Sequence, residues 1–262
     1  MQVVTWNVNS IRSRLPRVSA WLGRRRPDVV CFQETKVIDA DFPRAPFEAL
    51  GYHVETAGEK TYNGVAILSR RKPTGVVRGF PGAGPDDPKR LIAADIEGVR
   101  CINVYVPNGS PLGSEKFAFK LAWLERLRAF LGSSCDPGGE LVLCGDMNIA
   151  PEDHDVHDPE AWRGQVLFHP DEHAALARVR DWGLVDVLRA RWTGRGPWTW
   201  WDYRAGAFGR DHGLRIDLVF ATPPLAGRCS GVFVDRRERA GEGASDHAPV
   251  VASFEETPLS AF

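Results

Sequence analysis

Short apolar runs of strand length recur along the whole chain, at residues 2–8, 28–33, 64–69, 91–95, 101–106, 141–144, 214–220 and 249–254. Glycine, proline and aspartate punctuate the gaps, and the runs are rich in β-branched and aromatic residues, which suit pleated backbone. Helical pattern enters between some of them. It appears at 11–23, at 115–131, where Phe119, Leu121, Leu124, Leu127 and Leu131 form an apolar stripe, and from Pro170 to Asp181, with Asp171 and Glu172 in the first turn. Strands with flanking helices predict an α/β fold of two mixed β-sheets packed face to face, with the helices outside. Loops are expected at 79–90, 132–140, 194–196 and 204–213, the second of them dividing two halves of one sandwich. One domain should cover 1–255, with a short frayed tail at 256–262.

A length of 262 residues allows one large domain or two small ones, and no stretch is polar enough to act as a linker between separate domains. The formal net charge of -1 gives no support to a protein that coats nucleic acid, but it leaves room for a local basic face beside a bound cation. Of the cysteines, Cys31, Cys101 and Cys144 sit in strand-like runs, the total is odd, and no C-x-x-C occurs, so reduced thiols are expected. Residue 1 leads straight into a strand, with no room for a secretory leader, and no apolar stretch is long enough to span a bilayer. A soluble cytoplasmic protein with no membrane contact is the expectation.

The chemistry collects where the runs stop. Leu141-Val142-Leu143-Cys144 flows into Gly145-Asp146-Met147-Asn148, a carboxylate and a carboxamide two residues apart. Such a pair takes a proton from water and donates hydrogen bonds to a charged oxygen, the two tasks of phosphate-ester hydrolysis. It is also what closes an ordinary strand-to-loop turn. Alternation in the first run sends Val4, Trp6 and Val8 to one face and Thr5, Asn7 and Asn9 to the other. The second run ends at Gln33-Glu34-Thr35-Lys36, and Glu34 is a hard oxygen donor suited to Mg²⁺. Tyr105 and Asn108 follow another run, Asp217 lies inside one, and Asp246-His247 precedes the last. A buried Asp217 needs a partner, and a histidine is the obvious one. Core filling does not explain polar residues at strand ends repeatedly; one constellation does.

The segments Trp6–Asn9, Gln33–Lys36, Tyr105–Gly109, Gly145–Asn148, Trp201-Asp202-Tyr203-Arg204, Gly213–Asp217 and Ser245–His247, in that order, resemble exonuclease III-type apurinic/apyrimidinic endonucleases. Gly145–Asn148 and Ser245–His247 alone would point only to the wider endonuclease/exonuclease/phosphatase superfamily. Trp201–Arg204 and Gly213–Asp217 narrow the likeness to its DNA-repair branch. The resemblance implies a four-layer αββα sandwich, DNase I-like. It also implies Mg²⁺-dependent incision of double-stranded DNA 5′ to abasic sites, leaving a 3′-hydroxyl and a 5′-deoxyribose phosphate, with exonuclease or phosphodiesterase action at 3′ ends. Mn²⁺ is the expected substitute metal, and the working form a monomer.

By the same resemblance Glu34 anchors the metal with Asn9 and Asp246 nearby, and Asn7, Asp146 and Asn148 border it. Asp146 would activate the attacking water and Asn148 would hold that water or the phosphate. Asp217 would orient His247 on the phosphate, and Tyr105 would assist the phosphate or the leaving oxygen. Asn7 joins this hydrogen-bonded cluster. Trp200, Leu214 and Ile216 match a small apolar pocket for a flipped sugar without its base. Arg12, Lys36, Lys60, Arg90 and Lys116 are candidate phosphate contacts, and Asn108 a contact to the DNA backbone. Two departures stand out: Ser110-Pro111-Leu112-Gly113 lacks the basic residue some relatives carry, and Leu214 replaces an aromatic found in others.

His154 and His157 fall in an acidic loop bounded by prolines, better read as solvated than as a second metal site. His169-Pro170-Asp171-Glu172-His173 has the outer spacing of a zincin helix but not its acid next to the first histidine. The competing enzyme class is a phosphatase of lipid or inositol phosphates, and the competing non-enzyme class a DNA-binding scaffold without catalysis.

Overall fold

The computed structural model describes residues 1–255; the tail expected at 256–262 lies outside the described residues. Among the described residues twelve strands form two six-stranded sheets. The first runs β11 (Cys229–Val234), β12 (Val250–Phe254), β1 (Gln2–Asn7), β2 (Val29–Gln33), β4 (Val65–Ser69), β3 (His53–Ala57). The second runs β5 (Thr74–Arg78), β6 (Leu91–Ile96), β7 (Val99–Tyr105), β8 (Leu141–Asp146), β10 (Asp217–Ala221), β9 (Val185–Asp186). Each sheet holds a parallel pair, β1 with β2 and β7 with β8, among antiparallel neighbours. Parallel neighbours need a crossover, and helices Ile11–Arg25 and Glu115–Ser134 supply the two.

Interior strands are buried on both faces, as a sandwich covered by helices requires. Val3, Val29, Cys31, Ile67, Cys101, Val142, Cys144 and Val219 meet between the sheets. Val4, Trp6, Phe32 and Leu68 face Val18, Trp21 and Leu22 of the first helix. Ile102, Val104, Leu143 and Leu218 face Leu124, Leu127 and Leu131 of the second, with Leu176 and Val179 of helix Pro170–Arg180 alongside. The expected alternation in β1 holds. Its Thr5 faces the second sheet, where Gln33 Nε2 donates to both Thr5 Oγ1 and Asn103 Oδ1 at 2.9 and 2.7 Å.

The details differ from expectation in several places. Residues 132–140 do not separate the sheets, because β7 and β8 on either side of them pair in the same sheet. The stripe of helix Glu115–Ser134 is rotated: Phe117, Lys120, Leu124, Leu127 and Leu131 are buried, while Phe119 is exposed. The run at 214–220 becomes strand only at Asp217, since the preceding residues serve a second network: Arg215 is fully buried on Asp155 and Asp186. Among the described residues no helix is long and apolar enough to cross a membrane.

Candidate active site

The four parallel strands point their C-terminal ends to the same edge of the sandwich, the place where open α/β sheets build sites. Register does the rest. Tyr105 of β7 and Asp217 of β10 lie on either side of Asp146, each as its direct pairing partner. In the other sheet Asn7 pairs with Gln33, one residue before Glu34. Val250 pairs with Thr5, so the chain entering β12 carries His247 over the end of β1.

Asn7 bridges the sheets: its Nδ2 donates to Glu34 Oε1 at 2.7 Å and to Asp146 Oδ2 at 2.9 Å. Ser245 Oγ holds the Asn7 carbonyl at 2.7 Å, which ties β1 to the histidine-bearing loop. The Asn148 backbone N–H donates to Asp146 Oδ1 at 2.9 Å, and the Asn148 amide donates to the Val106 carbonyl at 3.0 Å. Asn108 Nδ2 in turn donates to Asn148 Oδ1 at 3.1 Å. His247 Nδ1 lies 2.8 Å from Asp217 Oδ2, and its Nε2 lies 3.8 Å from Asp146 Oδ2. Thr199 Oγ1 accepts the N–H groups of Ile216 and Asp217 and fixes that strand entrance.

Backbone strain collects here. Asn9, Glu34, Lys36 and Asn148 all adopt left-handed backbone, with φ of 43°, 52°, 56° and 49°. Non-glycine residues pay of order 1–3 kcal/mol for unfavourable backbone, and such residues concentrate at functional sites. Gly145, at φ 152°, is required for a different reason: a Cβ there would lie 1.9 Å from the Val104 carbonyl oxygen of β7.

The electrostatics follow from burial among mixed charges. Burial pushes Asp146 up to about 7, against the pull of the nearby imidazole. His247 moves the other way from what burial alone would do: desolvation disfavours its cation, but Asp217 and Asp146 overcome this and raise it to about 10. It is therefore an imidazolium at neutral pH. Burial, Glu34 and Asp146 push the Tyr105 phenol upward, so it keeps its proton. For Glu34 burial opposes charge, yet Lys36 and the Asn7 amide hold the carboxyl below its usual value.

Glu34, Asp146 and His247 form the one group of acids and imidazoles, among the described residues, compact enough to hold a metal ion, with donor atoms within 4.8 Å of one another. His247, raised to about 10, carries a proton on each ring nitrogen at neutral pH and offers no lone pair, so the available donors are carboxylate oxygens, a set that fits a hard divalent cation. Asp246 lies beside them, bound through Oδ1 to Asn9 Nδ2 at 3.0 Å and through Oδ2 to Trp200 Nε1 at 3.0 Å.

A groove of about 690 Å³ opens next to this cluster, lined in part by Asn108, Leu112, Trp162, Val166, Leu167 and Trp200. Leu214 and Ile216 do not line it; both are fully buried beneath Trp200, packed with Val156 and Phe168. The candidate phosphate contacts divide. Lys60 and Lys116 are exposed, and Arg12 is exposed but paired with Asp41 at 3.1 Å. Lys36 and Arg90 are not free cations. Lys36 Nζ lies 2.8 Å from Glu34 Oε2 and also donates to Asn9, and the Arg90 guanidinium sits 4.5 Å over the Tyr105 ring. His169 accepts the Asp171 N–H at the helix entrance and His173 contacts the Ala150 carbonyl, so this pair has structural partners.

Two residues escaped sequence reasoning. Lys120 and Glu172 form a fully buried ion pair behind Asn148. The available signal was spacing, since Lys120 falls in register with Phe117, Leu124, Leu127 and Leu131 on the apolar face of its helix.

Fold and site together define a two-sheet αββα sandwich with its acids, amides and one imidazolium gathered at the ends of its parallel strands. The model of the Endonuclease/Exonuclease/phosphatase family matches residues 4–247, and the chain belongs to that family. It is similar to Exodeoxyribonuclease III of Haemophilus influenzae, 37% identical over 97% of this chain and 100% of that protein. Among solved structures it is similar to an AP endonuclease from Archaeoglobus fulgidus, 45% identical with a TM-score of 0.94, covering 98% of this chain and 100% of that one. It is also similar to the Neisseria 3′ phosphatase NExo bound to a product DNA hairpin, at 42% identity and a TM-score of 0.94, over 98% and 100% of the two chains.

Proposed function

We infer that this chain is a DNA-repair hydrolase, a metal-dependent nuclease that cuts the phosphodiester 5′ to an abasic site and also processes 3′ ends. The observation that carries it is geometric: buried Asp146 lies 3.8 Å from His247 Nε2, and Asp217 holds His247 Nδ1 at 2.8 Å. Base and cation stand close enough to serve the two ends of one phosphoryl transfer. The activities of the relatives described above support the same substrate class.

Water attacks phosphorus, and its proton passes to Asp146, whose raised value near 7 makes it a usable base at neutral pH. Asn7 and the Asn148 N–H hold that carboxylate in place. His247 donates to a non-bridging oxygen and balances the charge that grows there. The bond from phosphorus to the 3′ oxygen breaks, and the Tyr105 phenol supplies the proton for the departing oxygen. A 3′-hydroxyl and a 5′-deoxyribose phosphate result. Glu34 and Asp246 would hold Mg²⁺, with Mn²⁺ a substitute, and Asn9, Asn7, Asp146 and Asn148 border that position. When bound, the cation neutralises phosphate charge.

Trp200 and the groove beside it would receive the sugar without its base, with Leu214 and Ile216 as the floor. Lys60, Lys116 and Asn108 are the proposed outer contacts to DNA backbone, and Arg12 joins them once released from Asp41. We place the working protein in the cytoplasm, as a monomer with one catalytic domain over 1–255. The test is a gel assay on a duplex with one tetrahydrofuran site, with Mg²⁺ or EDTA, beside an inositol polyphosphate. Cutting that needs metal and is lost in Asp146→Asn is expected. Release of phosphate from the inositol compound with no DNA incision would overturn the assignment.

A further inference from the structure

Helix Glu115–Ser134 buries a charged residue within its apolar stripe. The Lys120 side chain is fully buried, and an ammonium there has three N–H donors to place. One goes to the Asn148 carbonyl at 2.7 Å, one to the Asn108 carbonyl at 3.0 Å, and one to Glu172 Oε1. Glu172, on helix Pro170–Arg180, is equally buried. Its Oε1 also accepts the Leu167 N–H at 3.3 Å, and its Oε2 accepts the His169 N–H at 3.1 Å. The pair thus joins three segments: the loop after β7 with Asn108, the turn after β8 with Asn148, and the turn carrying Leu167 of the groove wall.

Stability is a poor reason for such a pair, because well-packed apolar residues of the same volume are often as stable or more so. Its distinctive property is direction. Asn148 and Leu167 both hold left-handed backbone, at φ 49° and 78°, and both turns end on this pair. The fit on the loop side is close as well: a Cβ on Gly109 would lie 2.8 Å from Lys120 Cδ.

We propose that Lys120 and Glu172 are positioning residues for the hydrolytic site, setting the Asn148 turn and the Asn108 loop against the groove wall. The assignment rests on the nuclease function proposed above. Lys120 touches no substrate; it acts through the two carbonyls it holds.

The experiment compares wild type with Lys120→Met/Glu172→Leu, and with Lys120→Gln as a second variant, on duplex DNA carrying one tetrahydrofuran site with Mg²⁺. Single-turnover rate constants with enzyme in excess count only folded molecules, so partial folding does not hide the answer. Displacing a reacting group by about 1 Å costs roughly 100-fold. A fall in the rate constant of roughly 10–100-fold is therefore expected, with the melting temperature of the double variant close to wild type and KM little changed. Rate constants within about twofold of wild type for either variant would overturn the positioning role. Wild type that fails to cut abasic DNA would instead overturn the nuclease assignment itself.

Discussion

Replacing Asp217 by asparagine keeps the side chain's shape and removes one charge 2.8 Å from His247 Nδ1. Holding an imidazole at about 10 rather than 6.5 corresponds to about 5 kcal/mol, at about 1.4 kcal/mol per pH unit. A unit charge at that separation is worth about 6 kcal/mol at an effective dielectric near 20. Asp217 is therefore the largest of the charges that raise it, with Asp146 helping to offset the cost of burial. Without it, burial still disfavours the cation, the weaker pull of Asp146, Asp246 and Glu34 opposes burial, and the histidine should titrate near or below about 6. At pH 7.5 only a few per cent of the variant would carry the charge that His247 brings to the phosphate. Loss of one such donor typically lowers kcat by about 100- to 1,000-fold. Two measurements check this: histidine titration by nitrogen NMR, and kcat on abasic duplex against pH. Wild-type His247 should remain an imidazolium through pH 8, whereas the residual rate of Asp217→Asn should climb as pH falls toward 6. An imidazolium that persists above pH 8 in the variant, or a kcat within about threefold of wild type, refutes the reasoning.

The same pair has a stability signature. Because the folded value for His247 lies above 6.5, its stabilisation is complete below that pH and drains away as pH rises through about 10; urea midpoints across this window should fall for wild type and stay flatter for Asp217→Asn. Glu34 runs the opposite way: its lowered value adds stability above pH 4.5 that is lost on acidification, and Glu34→Gln should flatten the acid limb of the same curve. Gly145→Ala should cost about 3 kcal/mol or more, since its Cβ would overlap the Val104 carbonyl, and a urea midpoint near that of wild type would contradict the close approach of β7 and β8. Trp200→Phe removes the hydrogen bond to Asp246 and should weaken Mn²⁺ binding about tenfold by electron paramagnetic resonance, with unchanged affinity counting against Asp246 as a metal neighbour.

Strand legibility followed position in the sheet. The strands missed from the pattern of apolar runs are β3, β5, β9 and β11, and these are the four edges. An edge strand needs less apolar surface, and β5 for example has no fully buried residue. Interior strands announce themselves because both faces are covered. Site residues were legible for a related reason. Asn7, Glu34, Tyr105, Asp146, Asp217 and His247 stand out as polar where the local pattern is apolar, and the structure brings them together. The Lys36–Glu34 ion pair was not legible because sequence offers no view of turns, and the left-handed backbone of Glu34 and Lys36 brings that ammonium back to the carboxylate. Lys120 and the Asp155–Arg215–Asp186 network stayed hidden because an ion pair between distant segments leaves no periodic trace in either one.

The pairing of β1 bears on how the molecule comes into being. One flank of β1 is covered by β2, made soon afterwards, but the other waits for β12, where Val4 meets Val251. A ribosome must deliver the chain as far as Phe254 before that flank closes, and His247 arrives in the same late segment. Until then the nascent chain exposes an unpaired hydrophobic ribbon and carries no complete cleft, so the emerging protein cannot touch DNA productively while still tethered. Chaperone demand should accordingly concentrate on this interval of synthesis.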